Sequence, residues 1–389
     1  MNTFLNFLTN YAAFVGFLIA WAAQLLVARS YKNITRAAKS QSAPKAGEDK
    51  PVSVIIPAHN QADALRRNLP SILEQDHNSF EVIVVNTSST DDTEEMLNNM
   101  ELRYPHLRHT FIPNSSRHIS PKRMAVTIGF KSANYELTIL TEPDCHPQST
   151  QWLRTMTNAF TARTQIVLGY TNYAPERTGI RSRLFFRLYH QIQYLTWATH
   201  HKAYRGSLTN LGYRKSYFMS HKGFAEDVNL ICGAGELLVN RHSTSDNTAV
   251  VLQPEAKMLQ APVLSSKDWT EKNVRYMETR RHFIKTGAYR FIFNLKQWIP
   301  VVFFLFWLAT LGMACINRQY HIVAGISTLI YLLTNIWQTI QFNSSCRTLE
   351  EKPYGINLSI YLITLPFRHV SSLMRYMQRP RRSFQRHAI

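Results

Sequence analysis

Residues 135–147, YELTILTEPDCHP, set a short apolar run directly before two acidic residues and a proline-broken turn. Leu137, Ile139 and Leu140 read as an interior strand of a parallel sheet, because a strand covered on both faces needs a continuous apolar run bounded by turn residues. Glu142 and Asp144 then stand at the carboxyl end of that strand. Open α/β sheets bind ligands along this edge, and hard carboxylate oxygens there suit Mg²⁺ or Mn²⁺ holding a diphosphate. Two acids in a loop can equally be solvated surface residues. The flanking sequence decides between these readings.

Upstream, strands and helices alternate. Residues 52–56 are a continuous apolar strand closed by Pro57, and Leu65, Leu69, Ile72 and Leu73 repeat at helical spacing after it. Residues 82–85 form a second strand, with Ser89 as N-cap and Asp92 three residues on as a capping box opening the next helix. A weaker strand at 109–112 precedes a helix started by Ser120 and Pro121, cap and first turn. Downstream of the opening stretch, one further helix leads to a strand at 166–170. This alternation predicts an α/β domain with a mostly parallel sheet covered on both faces. Residues 181–198 then read as an amphipathic helix, either against a bilayer, over the acceptor side, or packed on the core.

The chain has 389 residues, a formal charge of +19 and 45% hydrophobic residues, unevenly spread. Residues 11–28, 298–316 and 321–342 each come near the roughly 20 apolar residues that span a hydrocarbon core. The expected organisation is an N-terminal transmembrane anchor at 1–39, a linker at 40–50, a soluble domain at 51–290, a transmembrane hairpin at 291–345, and interfacial helices with a basic tail at 346–389. Arg29, Lys32, Arg36 and Lys39 follow the first span, and Arg375, Arg379, Arg381, Arg382 and Arg386 mark the tail. By the positive-inside rule this predicts a multi-pass protein of the inner cell membrane with its soluble domain in the cytoplasm; a cleaved signal ending near residues 20–23 is the competing reading. Residues 354–377, with Pro366, Arg368 and His369 near the middle, predict an interfacial or re-entrant pair of helices rather than a fourth span. The basic residues beside the spans suit anionic lipids. No nucleic-acid motif accompanies the charge, so no nucleic-acid partner is expected. Cys145, Cys232, Cys315 and Cys346 lack metal spacing and read as free thiols.

The motifs together resemble the membrane-anchored family 2 glycosyltransferases over the whole soluble domain, from Val52 to about Lys285. The resemblance implies the GT-A fold, a nucleotide-diphosphate sugar donor, a divalent metal (Mg or Mn), inverting transfer, and a membrane-held glycan or lipid acceptor. VSVIIPAHN looks like the family's first strand and its loop to the nucleotide, which implies donor contacts from Pro57, His59 and Asn60. EVIVVNTSSTDDT resembles the second-strand signature, with Asn86 and Thr87 where an aspartate is usual. Glu142-Pro143-Asp144 looks like the Asp-x-Asp motif: Asp144 matches the metal ligand and Glu142 replaces the acid that reaches the donor. Gly206, Asn210 and Tyr213-Arg214-Lys215 are similar to the acceptor-side segment, though they also fit a glycine-broken ribbon. Lys272-Asn273-Val274-Arg275-Tyr276 resembles the last motif, with Arg275 toward the diphosphate.

The resemblance implies a general base in an acidic pair opening a helix. Glu226-Asp227 has the letters, and Gly233-Ala234-Gly235-Glu236 has the spacing to the following helix, strand and Pro254-Glu255-Ala256. Spacing favours Glu236 over Asp227, with Ala234 and Gly235 where the acids belong. Four altered motif positions, at Asn86-Thr87, Glu142, Ala234-Gly235 and Tyr276 for the last motif's aromatic, also fit a second class, a degenerate member that binds a sugar nucleotide or a partner protein at the membrane without turnover.

Overall fold

A computed structural model of the chain describes residues 2–41, 49–113, 120–174, 181–263, 265–284, 287–380 and 384, with backbone alone for 2–11. Most of the expected linker and, in the basic tail, Arg381, Arg382 and Arg386 lie outside the described residues. Two helices come first, α1 (Asn2–Tyr31) and α2 (Asn33–Lys39). There follow β1 (Val52–Ala58), α3 (Ala62–Leu73), β2 (Phe80–Thr87), α4 (Thr93–Arg103), β3 (Leu107–Ile112), α5 (Pro121–Ser132), β4 (Leu137–Leu140), β5 (Cys145–Pro147), α6 (Trp152–Asn158), β6 (Ile166–Gly169) and β7 (Thr171–Tyr173). Next are α7 (Arg181–Ala198), β8 (Leu211–Arg214), α8 (Lys215–Ser220), α9 (Ala234–His242), β9 (Thr248–Val251), β10 (Met258–Gln260) and α10 (Ser266–Arg281). The last helices are α11 (Gly287–Ile316), α12 (His321–Thr348) and α13 (Asn357–Met377). The chain divides into two units, Met1–Arg36 with Thr286–Ser371, and Ala37–Lys285 with Ser372–Ile389.

The second unit is built on a seven-stranded sheet in the order β3-β2-β1-β4-β8-β6-β9. β8 runs antiparallel to both neighbours and the other pairings are parallel. Every residue of β1 and β4 is buried. Val54 and Ile56 join Leu65, Leu69 and Trp152 in one core, while Ile83 and Val85 meet Ala125 of α5 in another, so helices cover both faces. Each such aliphatic side chain contributes about 1.5–3 kcal/mol by leaving water. A three-stranded sheet, β5-β10-β7, lies apart from the seven-stranded one; Gln260 of β10 is opposite Cys145 on one side and Tyr173 on the other.

Three local expectations change. The capping box at Ser89 is absent: α4 starts at Thr93, and the Ser89 hydroxyl instead donates to Asn86 and accepts from the Asn60 N–H. Asp91 takes over, its carboxylate accepting the N–H of Thr93 and that of Ala62 at the start of α3. Asn210 and Tyr213 of the expected acceptor-side segment are buried staples. The Asn210 amide accepts from Trp152 and donates to the carbonyls of Tyr170 and Ala256, and the Tyr213 hydroxyl meets His242. The expected helix pair at 354–377 is one helix, α13, that runs through Pro366; the proline lacks one N–H, and the i→i−4 bonds on either side carry the helix past it.

Among the described residues three helices are long and apolar enough to cross a membrane, Ala12–Lys39, Gly287–Ile316 and Arg318–Thr348, all but the end of the first lying in the first unit. Ile19, Leu26, Leu305, Leu329, Leu333 and Ile336 point outward, as lipid-facing positions do. Polar side chains face inward in pairs. Gln24 donates to Gln338 at 2.6 Å, Trp21 to Thr334 at 3.0 Å, and Thr310 and Ser327 share a 2.7 Å hydrogen bond.

From Ser372, in the last turns of α13, the chain belongs again to the second unit. Tyr376 and Phe384 pack with Val274 and Met277 of α10, and the Tyr376 hydroxyl donates to Glu278 at 2.5 Å. The Phe384 carbonyl accepts the N–H of Ile231.

Candidate active site

Two cavities flank the turn after β4. A smaller one of about 400 Å³ is lined by Asn60, Gln61, Arg67, Asp91, Asp92 and Asp144 among others. A larger one of about 500 Å³ takes Glu142, together with Lys122, Arg205, Glu236, Lys272 and Arg275. The two acids of the opening stretch therefore face different cavities.

Asp144 is oriented by its neighbours. Gln260 Nε2 donates to both carboxylate oxygens, at 3.0 and 3.3 Å, and the Cys145 thiol donates at 3.4 Å. Burial pushes the Asp144 carboxyl up, and the charge of Glu142 adds to the push. Burial would raise Glu142 as well, but the Lys122 ammonium, 2.5 Å from Oε1, holds it below the usual carboxylate range. Lys122 sits in the first turn of α5, aimed at the sheet's carboxyl edge.

Among the described residues no group of three or more His, Cys, Asp or Glu side chains could hold a metal. One carboxylate does fit Mg²⁺ or Mn²⁺ when a diphosphate and water supply the other oxygens, the usual arrangement for Mg²⁺ at phosphate sites.

Of the expected donor contacts, Asn60 alone lines the smaller cavity. It holds a left-handed conformation, φ 52°, and its side-chain oxygen accepts the Thr90 N–H. Pro57, His59, Asn86 and Thr87 tie the edge of β1 to β2. The His59 ring meets the Thr87 carbonyl, the Thr87 hydroxyl donates to the Ala58 carbonyl, and both ends of the buried Asn86 amide are occupied, by Glu94 and Ser89. The aspartate that Asn86 replaces would here stand against the Glu94 carboxylate, which the amide N–H₂ satisfies instead.

The two candidate bases separate clearly. Glu236, in the first turn of α9, lines the larger cavity 3.6 Å from Arg205. Arg205 is stacked 4.3 Å from the Tyr276 ring centroid and 5.5 Å from that of Tyr194. Asp227 lines neither cavity. It is 4% exposed and bound to Arg241 at 2.7 Å, while Glu226 contacts the same guanidinium. Burial pushes the Asp227 carboxyl up, against the pull of Arg123.

The loop that delivers Glu236 rests on Arg123, which is 1% exposed and donates to the carbonyls of Leu230 and Cys232 at 2.8 and 2.7 Å. Gly233 turns the chain at φ 71°, a conformation that favours glycine. At Gly235 a Cβ would lie 2.6 Å from the Leu208 backbone nitrogen. The position where spacing leads one to expect an acid has no room for any side chain, so Glu236 supplies the carboxylate from the next one.

Arg275 lines the larger cavity and pairs with Glu271 at 3.3 Å. Arg281, by contrast, donates to Tyr376. Lys122, Arg205 and Gln260 are the site residues that sequence reasoning missed. Lys122 could have been found from its place in the first turn of the helix before β4; Arg205 and Gln260 carry no signal beyond their neighbours Gly206 and the Pro254-Glu255-Ala256 landmark.

The family model for Glycosyl transferase family 2 matches residues 53–221. The chain is 35% identical over 79 residues to an uncharacterized glycosyltransferase of Rickettsia bellii, covering 19% of this chain and 11% of that protein. It is 28% identical over 105 residues to the uncharacterized glycosyltransferase YibD of Escherichia coli, covering 27% and 30%. The chain thus spans less than a third of the length of these relatives. Among solved structures, the mannosyltransferase PcManGT from Pyrobaculum calidifontis, in complex with GDP-Man and Mn²⁺, is similar with a TM-score of 0.55 at 16% identity over 87% of this chain and 99% of that one. That likeness concerns the fold, which is GT-A. Residues 53–221, which hold the sheet from β1 to β8 and the acids at the end of β4, are thus similar to glycosyl transferase family 2.

Proposed function

We propose that the chain transfers a sugar, with inversion, from a nucleotide-diphosphate sugar to a membrane-held glycan or lipid acceptor. The observation that carries this reading is that the turn Glu142-Pro143-Asp144 lends one acid to each of two cavities, the smaller lined also by Asn60, which would take the nucleotide, the larger by Glu236, which would take the acceptor. Asp144 would hold Mg²⁺ or Mn²⁺, and the ion supplies Lewis-acid neutralisation of the leaving diphosphate. Gln260 keeps the Asp144 carboxylate aimed. Lys122, paired with Glu142 two residues from Asp144, and Arg275 add positive charge toward the diphosphate as it leaves. Glu236 takes the proton from the acceptor hydroxyl as its oxygen bonds to the anomeric carbon and the sugar–phosphate bond breaks on the opposite face. Asp227 stays outside the reaction as the partner of Arg241.

The three apolar helices anchor the enzyme, and the basic residues flanking them place the catalytic domain, taken as residues 51–290, at the cytoplasmic face of the cell membrane beside anionic lipids. The test is nucleoside diphosphate release from a panel of sugar nucleotides by the purified chain, with and without Mn²⁺. Turnover with one or more donors supports the reading. Nucleotide binding without any turnover would favour the binding-only class, to which the closed position at Gly235 and the engaged Asn86 amide lend support.

A further inference from the structure

The larger cavity has more positive charge than the transfer reaction uses. Three of its cations are ion-paired: Lys122 with Glu142, Arg205 with Glu236 and Arg275 with Glu271. Arg187 of α7 and Lys272 of α10 line the same cavity and make no ion pair among the described residues; Asp268, in the first turn of α10, pairs with neither. Both cations converge on one ring. The Arg187 guanidinium lies 3.8 Å from the Tyr173 centroid, and Lys272 Nζ lies 5.8 Å from that centroid and 3.5 Å from the Tyr173 hydroxyl.

Buried hydrogen-bonding groups without partners cluster here. They are Nη1 of Arg187, Nε of Arg205 and Oε1 of Gln191, the last about one turn along α7 from Arg187 and 8% exposed. The two guanidinium nitrogens call for acceptor oxygens and the Gln191 oxygen for a hydroxyl donor; an unfilled buried polar group costs about 1–3 kcal/mol, more when charged, so the wall is shaped for a ligand that brings both. Phe186, Tyr194, Trp269 and Tyr276 supply aromatic faces around it, suited to sugar rings.

Position separates this anion site from the diphosphate at Asp144. Gln260 is the register partner of both Cys145 and Tyr173, so Tyr173 lies two strand spacings, about 10 Å, from the residue after Asp144. Asp144 faces the smaller cavity, while Arg187 and Lys272 face the larger one with Glu236. Neither cation has an ion-pair partner among the described residues, and the one carboxylate that feels both, Glu142, is already paired with Lys122; a phosphate monoester, which carries about −1.5 to −2, matches the remaining charge, and a guanidinium fork beside an ammonium is suited to its oxygens.

We infer that Arg187 and Lys272, flanking Tyr173, form a phosphate subsite for the acceptor, so that the acceptor is a phosphorylated carbohydrate. This rests on the assignment of the larger cavity to the acceptor. The subsite would take the phosphate of a free sugar phosphate or of a glycolipid headgroup.

The test is calorimetric binding of glucose 1-phosphate to the full chain in detergent micelles, with glucose as the uncharged control, in the absence and presence of saturating UDP or GDP. Binding of the phosphate at least tenfold tighter than glucose, undiminished by nucleoside diphosphate, is the expected result. Arg187→Ala and Lys272→Ala should each weaken it about tenfold and leave nucleoside diphosphate affinity unchanged. Lys272 is exposed, so its variant folds even if the other does not. Displacement of glucose 1-phosphate by nucleoside diphosphate, or weaker nucleoside diphosphate binding in the variants, assigns both cations to the donor and overturns the inference. So does failure of the parent chain to bind the probe at millimolar concentration. Retention of a variant-sensitive phosphate site by a chain that binds no nucleoside diphosphate keeps the subsite and removes the transferase reading instead. Substituting a dioleoyl glycerophosphate vesicle for the sugar phosphate then separates the sources: competition by the vesicle marks a lipid-linked phosphate, its absence a soluble one.

Discussion

Glu236→Gln removes a proton acceptor while keeping the side chain's length and one oxygen. Loss of a general base costs 10² to 10⁴ in rate, about 2.7 to 5.4 kcal/mol of barrier at 1.36 kcal/mol per decade. The structure argues that this cost falls on turnover and not on donor binding. Arg205, 3.6 Å from Glu236, stays stacked on Tyr276 when the carboxylate is neutralised, and the cavity becomes one charge more positive, which does not oppose an anionic donor. Asp227→Asn should act elsewhere. It leaves Arg241 with the exposed Glu226 as its charged partner and a neutral amide on its buried side, for a loss of about 1–3 kcal/mol of stability, or a few degrees in melting temperature for a domain of this size, with turnover of the folded fraction unchanged. Nucleoside diphosphate release from the working donor, read beside thermal melts and donor titrations for both variants, is the assay. Undiminished turnover in Glu236→Gln together with a folded but inactive Asp227→Asn would refute the placement of the base.

Asp144→Ala should abolish the metal dependence of nucleotide binding while the melt stays close to the parent's, since the residue follows β4 in a turn; surviving metal dependence removes the metal assignment. Gly235→Ala forces a Cβ to 2.6 Å from the Leu208 nitrogen, and overpacking of this kind costs about 1–3 kcal/mol, to be read as a lower melting temperature. Glu81 is buried, and its carboxylate accepts from Ser53, Asn134 and Arg108; burial would raise it, but these donors hold it below its ordinary 4.5. A depressed folded value means stability that is present above the unfolded value and fades as pH falls through the folded one. The melting difference between the parent and Glu81→Gln should therefore be full at neutral pH and shrink below about pH 4.5; a difference that grows on acidification contradicts it.

The features legible in the sequence were those with a period. β1, β2 and β4 are apolar on both faces because helices cover both, and the turn after β4 announces itself by changing at once to acids and proline. The bounds of α7 follow from its apolar spacing. The β5-β10-β7 sheet was invisible, since three-residue strands have no period to show. Ser89 misled because a serine three residues before an acid looks the same whether its hydroxyl caps a helix or, as here, binds Asn86. At Gly235 the letters recorded a missing acid, but only the approach of the Leu208 backbone explains it. Lys122, Arg187 and Arg205 are single cations on different elements, and nothing local marks their convergence on one cavity.

The docking of Tyr376 and Phe384 on α10 gives the chain an order of manufacture. A ribosome working at about 5–20 residues per second needs roughly 5–20 seconds to travel from the end of α10 to Phe384. Throughout that interval the helix bearing Lys272 and Arg275 lacks its backing, and the loop before Gly233 lacks the carbonyl that Ile231 donates to. By the time both are in place, α11 and α12 have already been synthesised. A nascent chain thus completes the wall of its larger cavity only after the ribosome has delivered α11 and α12, two of the helices long and apolar enough to cross a membrane, so under the proposed function turnover would begin only once those helices are made.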